Sequence, residues 1–222
     1  MNIVLLDAFE YIGVIAFAIS GAFVGIRKQM DVFGVNVLAI TTACGGGLMR
    51  DIIIGRTPPN MFQNPIYVCI AAVFANLVFA LAYYRRLPEK WSRNYDKMLF
   101  WFDTLGLAAF ATDGVMLGVQ SGYQDNSFLL VFLGFMSAVG GGALRDVLAN
   151  QTPDIFRKRI YALASILGGI LMTTLHSLLH SWKIAMLGGF AAIILLRWLA
   201  AHYRWNLPRV EEEPHQDQKH PI

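Results

Sequence analysis

Apolar residues fall into seven runs, at about 3–26, 32–54, 66–84, 98–119, 128–149, 160–180 and 184–203, separated by short polar connections. At 1.5 Å of rise per residue, about 20 residues cross a hydrocarbon core of about 30 Å. The pattern therefore predicts an all-α membrane protein with seven transmembrane helices. The connections leave no room for a separate soluble domain, so residues 1–206 read as a single transmembrane domain. Leu207 to Ile222, with Glu211-Glu212-Glu213, prolines and histidines, reads as a flexible solvated tail. The first run does not read as a removable signal peptide, because no Lys or Arg precedes it and Asp7 and Glu10 put negative charge where a signal is positive.

A second pattern lies over the first. Glu10, Gly13, Phe17, Ala18, Gly21 and Gly25 align with Asp103, Gly106, Phe110, Ala111, Gly114 and Gly118 at an offset of 93. The offset becomes 95 at Gly45-Gly46-Gly47 and Gly140-Gly141-Gly142, and 94 at Ile66-Tyr67 and Ile160-Tyr161. A repeat of this length marks two related units, at about 3–86 and 98–182, with a seventh helix at about 184–203 outside them. Each unit holds three spans, and an odd number inverts the second unit relative to the first.

Composition agrees with the hydropathy pattern, since 56% of the 222 residues are hydrophobic and 15% are charged. Sorting the charge by side is more informative than the net +3. The loops after spans 1, 3 and 5 and the C-terminal end hold Arg27, Lys28, Arg85, Arg86, Lys90, Arg93, Lys97, Arg157, Lys158, Arg159, Arg204, Arg209 and Lys219, against Arg56 and Lys183 on the opposite side. By the positive-inside rule the N-terminus is outside and the C-terminus cytoplasmic. These cations therefore set topology and do not mark a nucleic-acid site. Cys44 and Cys69 both fall within spans and read as small apolar residues. His176 and His180 have a metal-ligand spacing with no clustered Cys or carboxylate, so no metal site is expected beyond a permeating cation. No nucleotide loop, catalytic triad or zinc-hydrolase pattern points to an enzyme or a cofactor.

The candidate chemistry lies in Gly45-Gly46-Gly47-Leu48-Met49-Arg50-Asp51 and Gly140-Gly141-Gly142-Ala143-Leu144-Arg145-Asp146, followed by Thr57-Pro58 and Thr152-Pro153. Three consecutive glycines cost a helix roughly 3 kcal/mol relative to alanine, and successive residues point about 100° apart, so one packed neighbour uses only one or two of them. Helices 2 and 5 are therefore expected to be broken at Gly-Gly-Gly, freeing backbone carbonyls to line a wet path for a cation. Gly21 with Gly25 and Gly114 with Gly118 are expected to pack against neighbouring helices. Being neighbours, Arg50 and Asp51 are not expected to neutralise each other across a helix face. The expected contacts are Glu10 with Arg50 and Asp103 with Arg145, one toward each side of the membrane. The Arg-Asp pairs are either staples that hold the helices or parts of a pore and its gate. Asp113, aligned with Ser20, either attracts cations or partners Arg50. Thr57-Pro58 and Thr152-Pro153 read as helix starts, Thr as cap and Pro in the first turn.

Two triple glycines, each followed by Arg-Asp and Thr-Pro in two three-span units with a seventh helix, resemble the bacterial branch of the trimeric intracellular cation channels over about residues 3–205. The resemblance implies a homotrimer in the bacterial plasma (inner) membrane, in contact with lipid. It implies one potassium-permeable pore per subunit, with sodium also a candidate, bounded by helices 2 and 5 kinked at Gly45, Gly46, Gly47, Gly140, Gly141 and Gly142. The same sequence group also carries the label of a glycine transporter, which implies alternating access to a small solute at the same helices.

Overall fold

The computed structural model describes residues 3–85, 89–157 and 160–205. The tail from Leu207 to Ile222 lies outside the described residues, as do Arg86, Lys158 and Arg159. Among the described residues the chain forms α1 (Ile3–Arg27), α2 (Val32–Ile53), α3 (Asn60–Gln63), α4 (Ile66–Arg85), α5 (Glu89–Gln120), α6 (Ser127–Leu148), α7 (Asp154–Arg157), α8 (Ile160–Leu179) and α9 (Trp182–His202), with no strand. Seven of these, all but α3 and α7, are long and apolar enough to span a membrane. The observed bounds fall within two residues of the hydrophobic runs except in α5, which starts at Glu89. Its first turns, EKWSRNYD, are polar, so the helix continues past the apolar run.

The inverted repeat is exact in register. α6 starts and ends 95 residues after α2, α7 starts and ends 94 after α3, α8 starts and ends 94 after α4, and α5 ends 93 after α1. These are the offsets read from the sequence. The ends are built alike as well. The Asp31 carboxylate accepts the Gly34 amide at the start of α2 (2.7 Å), and the Asn126 side chain accepts the Leu129 amide at the start of α6 (3.0 Å); each satisfies one of the amides a helix leaves open. At the other ends Gly55 (φ 72°) and Asn150 (φ 50°) take the left-handed conformation that terminates a helix, and the next amides, Arg56 and Gln151, return to the Asp51 and Asp146 carbonyls.

The expected breaks at the triple glycines are not found: α2 and α6 run as helices through Gly45–Gly47 and Gly140–Gly142. The glycines serve instead to let the two helices touch. A Cβ on Gly46 would lie 2.1 Å from the Ser137 carbonyl oxygen, and one on Gly141 would lie 2.0 Å from the Thr42 carbonyl oxygen. Ser137 and Thr42 are themselves repeat mates, so the crossing lies on the pseudo-twofold axis. Gly45 and Gly140 face Leu144 and Met49 of the partner helix, whereas Gly47 faces the Arg50 guanidinium and Gly142 the Tyr161 hydroxyl. The partner helix thus uses two of the three glycines, as one packed neighbour can, and the helices stay unbroken all the same. Burying the backbone against backbone at van der Waals distance offsets the glycine penalty and keeps the helical ladder closed.

Around this crossing α1 and α5 pack as a second symmetric pair. Phe17 and Phe110 lie with ring centroids 5.3 Å apart, and each presses on the glycine preceding its mate's ring, Phe17 on Gly106 and Phe110 on Gly13. Gly21 and Gly25 lie against Thr42, Ala39 and Val35 of α2, and Gly114 and Gly118 lie against Leu133, Ser137 and Leu130 of α6. That is the close packing expected of them. The two faces of the bundle are named below for the short helices they carry, the α3 face and the α7 face.

Candidate functional site

Four residues beyond each central glycine, about 6 Å along the helix axis, a buried arginine closes the last turn of α2 or α6. Because the helices are antiparallel, Arg50 lies toward the α3 face and Arg145 toward the α7 face. Each is buried, at 3% and 1% exposure. A cation in a low-dielectric interior must be paired to remain charged, and each arginine has several partners.

Toward the α7 face, Arg145 donates through Nη1 to Asp103 Oδ1 (2.9 Å) and to Ser20 Oγ (2.6 Å), and through Nε to Asp146 Oδ1 (2.9 Å). The expected Asp103–Arg145 contact is therefore present. Toward the α3 face, Arg50 bonds through Nη1 to Asp113 Oδ2 and through Nε to Asp51 Oδ1 (3.1 Å). Here the expected partner, Glu10, is displaced. Its carboxylate instead accepts from Tyr67 Oη (2.6 Å) and Asn60 Nδ2 (3.1 Å). The reason is visible in the repeat, where positions 20 and 113 correspond and both reach the arginine of the opposite unit. Position 113 carries an acid and position 20 a hydroxyl, so Arg50 takes its charge partner at 113 and Arg145 takes its own at 103. Of the two readings of Asp113, pairing with Arg50 is the one observed.

The adjacent Asp51 and Asp146 do bind their own arginines, contrary to the expectation for sequence neighbours. A long guanidinium stem folds back across the turn where a short side chain could not. The second oxygen of each aspartate is the more telling contact. Asp51 Oδ2 accepts the Asn60 amide at the start of α3 (2.7 Å), and Asp146 Oδ2 accepts the Asp154 amide at the start of α7 (2.8 Å). The caps of these short helices thus come from the motif aspartates. The Thr57-Pro58 and Thr152-Pro153 reading is corrected accordingly: α3 starts at Asn60 and α7 at Asp154, each after its Thr-Pro. Replacing Asp146 by Ala is expected to free α7 and leave Arg145 with one charge partner fewer, costing about 2–4 kcal/mol. Rapid proteolysis near residues 150–157 in a folded variant would show it; a protease pattern like the wild type's would contradict it.

Two cavities approach the glycine crossing from opposite faces. The one toward the α3 face is small, about 30 Å³, and is lined by Glu10, Arg50, Asp51, Asp113, Asn60, Tyr67, Cys44 and Gly47, with Phe110 among the apolar walls. It has room for about one water molecule or a bare ion. The one toward the α7 face is about 520 Å³, lined by Arg27, Lys28, Tyr95, Asp96, Gln151, Thr152 and Asp154, with Arg145 in its wall. Arg27 and Asp96 form an exposed ion pair at 3.0 Å across it. Along the axis the two arginines are about 12 Å apart, eight residues of rise. Gly47 lies 3.6 Å from the Arg50 guanidinium when a Cβ is built on it, and Gly142 meets Tyr161 Oη at 3.0 Å.

Several members of the site were not singled out from the sequence: Tyr67, Asn60, Ser20, Asp154, Tyr161 and, above all, Arg197 of α9, which is buried against Asp103 and Thr104. Arg197 carried a signal, being the one Lys, Arg, Asp or Glu in the run 184–203. The hydroxyl of Tyr67 is predicted to hold Glu10 in place. Tyr67→Phe should fold but lose about 1–2 kcal/mol of stability, read as a lower melting temperature, and an unchanged melting temperature would remove that role. His176 stacks on Trp182 (3.8 Å between ring centroids); among the described residues no group of three His, Cys, Asp or Glu is placed to hold a metal ion.

Residues 7–83 and 100–177 each match the family model described as Glycine transporter, one match per repeat unit. The chain is 36% identical over 200 residues to the UPF0126 inner membrane protein YadS of Escherichia coli (strain K12), covering 90% of this chain and 93% of that protein. Among solved structures it is similar to one described as "Structural basis for conductance through TRIC cation channels", with a TM-score of 0.81 and 36% identity, covering 94% of this chain and 98% of that one. A TRIC trimeric intracellular cation channel orthologue from Rhodobacter sphaeroides aligns with a TM-score of 0.81 and 31% identity over 90% of this chain and 99% of that one.

Proposed function

Since the chain belongs to the trimeric intracellular cation channel family, on its bacterial branch, we propose that it is a passive channel for monovalent cations, potassium first and sodium second. One pore runs through each subunit, between α2 and α6 and the pair α1 and α5. The subunits assemble as a homotrimer in the inner membrane, with the N-terminus outside and the C-terminus cytoplasmic. It is not an enzyme and needs no cofactor.

The observation that carries this reading is the pair of inverted arginine–carboxylate clusters, one on each side of the glycine crossing, each with a cavity reaching it from its own face. Carboxylates in excess over arginine at a narrow, buried, wet point attract a cation and repel an anion. Glu10 is held by neutral donors, Tyr67 and Asn60, while Arg50 is shared by Asp51 and Asp113. The glycines at the crossing keep side chains out of the space between the two helices. With both helices intact, conduction calls for a small separation of α2 from α6 at Gly46 and Gly141 and not for rearrangement of a broken backbone.

One observation favours a carrier as the second reading. The two cavities are separated by a closed contact at the crossing, as in a protein that exposes one midplane site to each side in turn. Purified protein in planar bilayers separates the two. Unitary currents that reverse at the potassium equilibrium potential are expected of the channel, whereas saturable counterflow of labelled glycine with no unitary current would establish the carrier.

A further inference from the structure

The inverted repeat explains the Arg145 cluster except for one member. Arg197 comes from α9, which has no counterpart in either unit, and yet it is only 5% exposed. Its Nε donates to Thr104 Oγ1 (2.9 Å) and its Nη2 lies 3.7 Å from Asp103 Oδ2. The guanidinium is sandwiched between rings, 5.0 Å from the centroid of Phe100 and 4.6 Å from that of Tyr161, contacts that favour a cation. Asp103 is thereby bridged, with Arg145 on one oxygen and Arg197 on the other.

At the α3 end no residue of α9 takes part. Around the small cavity Arg50 faces Asp51, Asp113 and Glu10, and the half-buried Arg56 donates to Asn60 Oδ1 (3.4 Å) beside it. At the α7 end two arginines, Arg145 and Arg197, face Asp103, Asp146 and Asp154, and the open vestibule adds Arg27 and Lys28 against Asp96. With every side chain ionised, Arg56 counted at the α3 end and the vestibule at the α7 end, the α3 end carries one more net negative charge than the α7 end. Without Arg197 the two ends would carry the same net charge, so the difference is introduced by the helix outside the repeat.

We propose that Arg197 is a positioning residue that shares Asp103 with Arg145 and so sets the charge of the wide, α7-side mouth, making the conduction path electrically asymmetric. This rests on the channel reading above. A negative charge at one entrance raises the local cation concentration there and increases the current carried by cations entering from that side, and the effect is screened by salt. Arg197 lowers that concentration at the α7 mouth while leaving the α3 mouth as it is. A staple that merely fixed α9 to α5 would change stability and leave the ratio of currents at opposite voltages alone.

The test uses full-length protein in planar bilayers with symmetric KCl, comparing wild type with Arg197→Gln and Arg197→Lys. At about 0.1 M salt Arg197→Gln is expected to raise the current of one polarity, that of cations entering from the α7 face, roughly twofold, with the increment fading at about 1 M. Arg197→Lys, which keeps the charge, should rectify as the wild type does. Asp103→Asn should move the same polarity the other way, and it carries the test if Arg197→Gln does not assemble. Unchanged rectification in Arg197→Gln or in Asp103→Asn, or equal changes in the Lys and Gln variants, would overturn the proposal while leaving the channel reading standing. A wild type that passes no unitary current would overturn both.

Discussion

Adding one methyl group at the helix crossing is expected to cost this protein more than removing a hydrogen bond anywhere on its periphery. In Gly46→Ala the new Cβ would sit 2.1 Å from the Ser137 carbonyl oxygen, and in Gly141→Ala 2.0 Å from that of Thr42. Both obstacles are backbone atoms in regular helices, so no side chain can swing away and α2 must move from α6. Overpacking a well-packed site costs about 1–3 kcal/mol, and more where the backbone has to shift, whereas the gain in helix propensity from Gly to Ala is about 1 kcal/mol. A net loss of about 2 kcal/mol or more is therefore predicted for each, read as a fall in the melting temperature of detergent-solubilised protein. The double variant should lose less than the sum, because both methyl groups strain one contact. Gly47→Ala is the control. Its Cβ meets only the Arg50 guanidinium at 3.6 Å, ordinary contact, so this variant should be at least as stable as wild type. Equal melting of the Gly46 and Gly47 variants would show that the crossing is not as tight as described.

The second large effect is expected at Arg145. Replacing it by Met would leave Asp103 and Asp146 without their main cation, both buried at 3% and 1% exposure. Breaking a buried ion pair by removing one partner costs about 3–5 kcal/mol, mostly the penalty of the stranded charge. Arg197 remains on Asp103 Oδ2, so the damage should be partial at Asp103 and fuller at Asp146. Adding Asp103→Asn to Arg145→Met should recover part of the loss. A thermal unfolding series on the two single variants and the double variant measures the coupling directly, and an Arg145→Met protein that melts with the wild type would remove the cluster from any account of the fold.

The sequence made the architecture legible because both of its signals are one-dimensional. Seven hydrophobic runs fix seven spans, and the offsets of 93, 95 and 94 recur as the spacing of helix ends. At the triple glycines intrinsic propensity does not decide the backbone. Glycine lowers the intrinsic stability of a helix, but Gly46 and Gly141 lie against each other's helix, and packing against an antiparallel copy outweighs that cost. Partner choice at the charged clusters was half legible. Asp103 with Arg145 followed from depth and topology, but depth alone could not separate Glu10 from Asp113 as the acid for Arg50, since that depends on which face of α1 and α5 turns toward α2. Arg197 was in plain view as a lone charge in an apolar run. It belongs to no repeat, so neither the offsets nor the motif point to it as a partner of Asp103.

In the proposed channel, ions pass through the small cavity beside the crossing, where Cys44 shares the wall with Glu10, Arg50 and Asp113. Silver ion is close in size to potassium and bonds to thiols, so it probes that path through a native residue. In nitrate solution, with Cys69→Ser to remove the exposed thiol, added silver is predicted to abolish the unitary current irreversibly, and the further change Cys44→Ala is predicted to make the current resistant. Full conduction in silver with Cys44 present, or block that persists after Cys44→Ala, would place the ion path elsewhere.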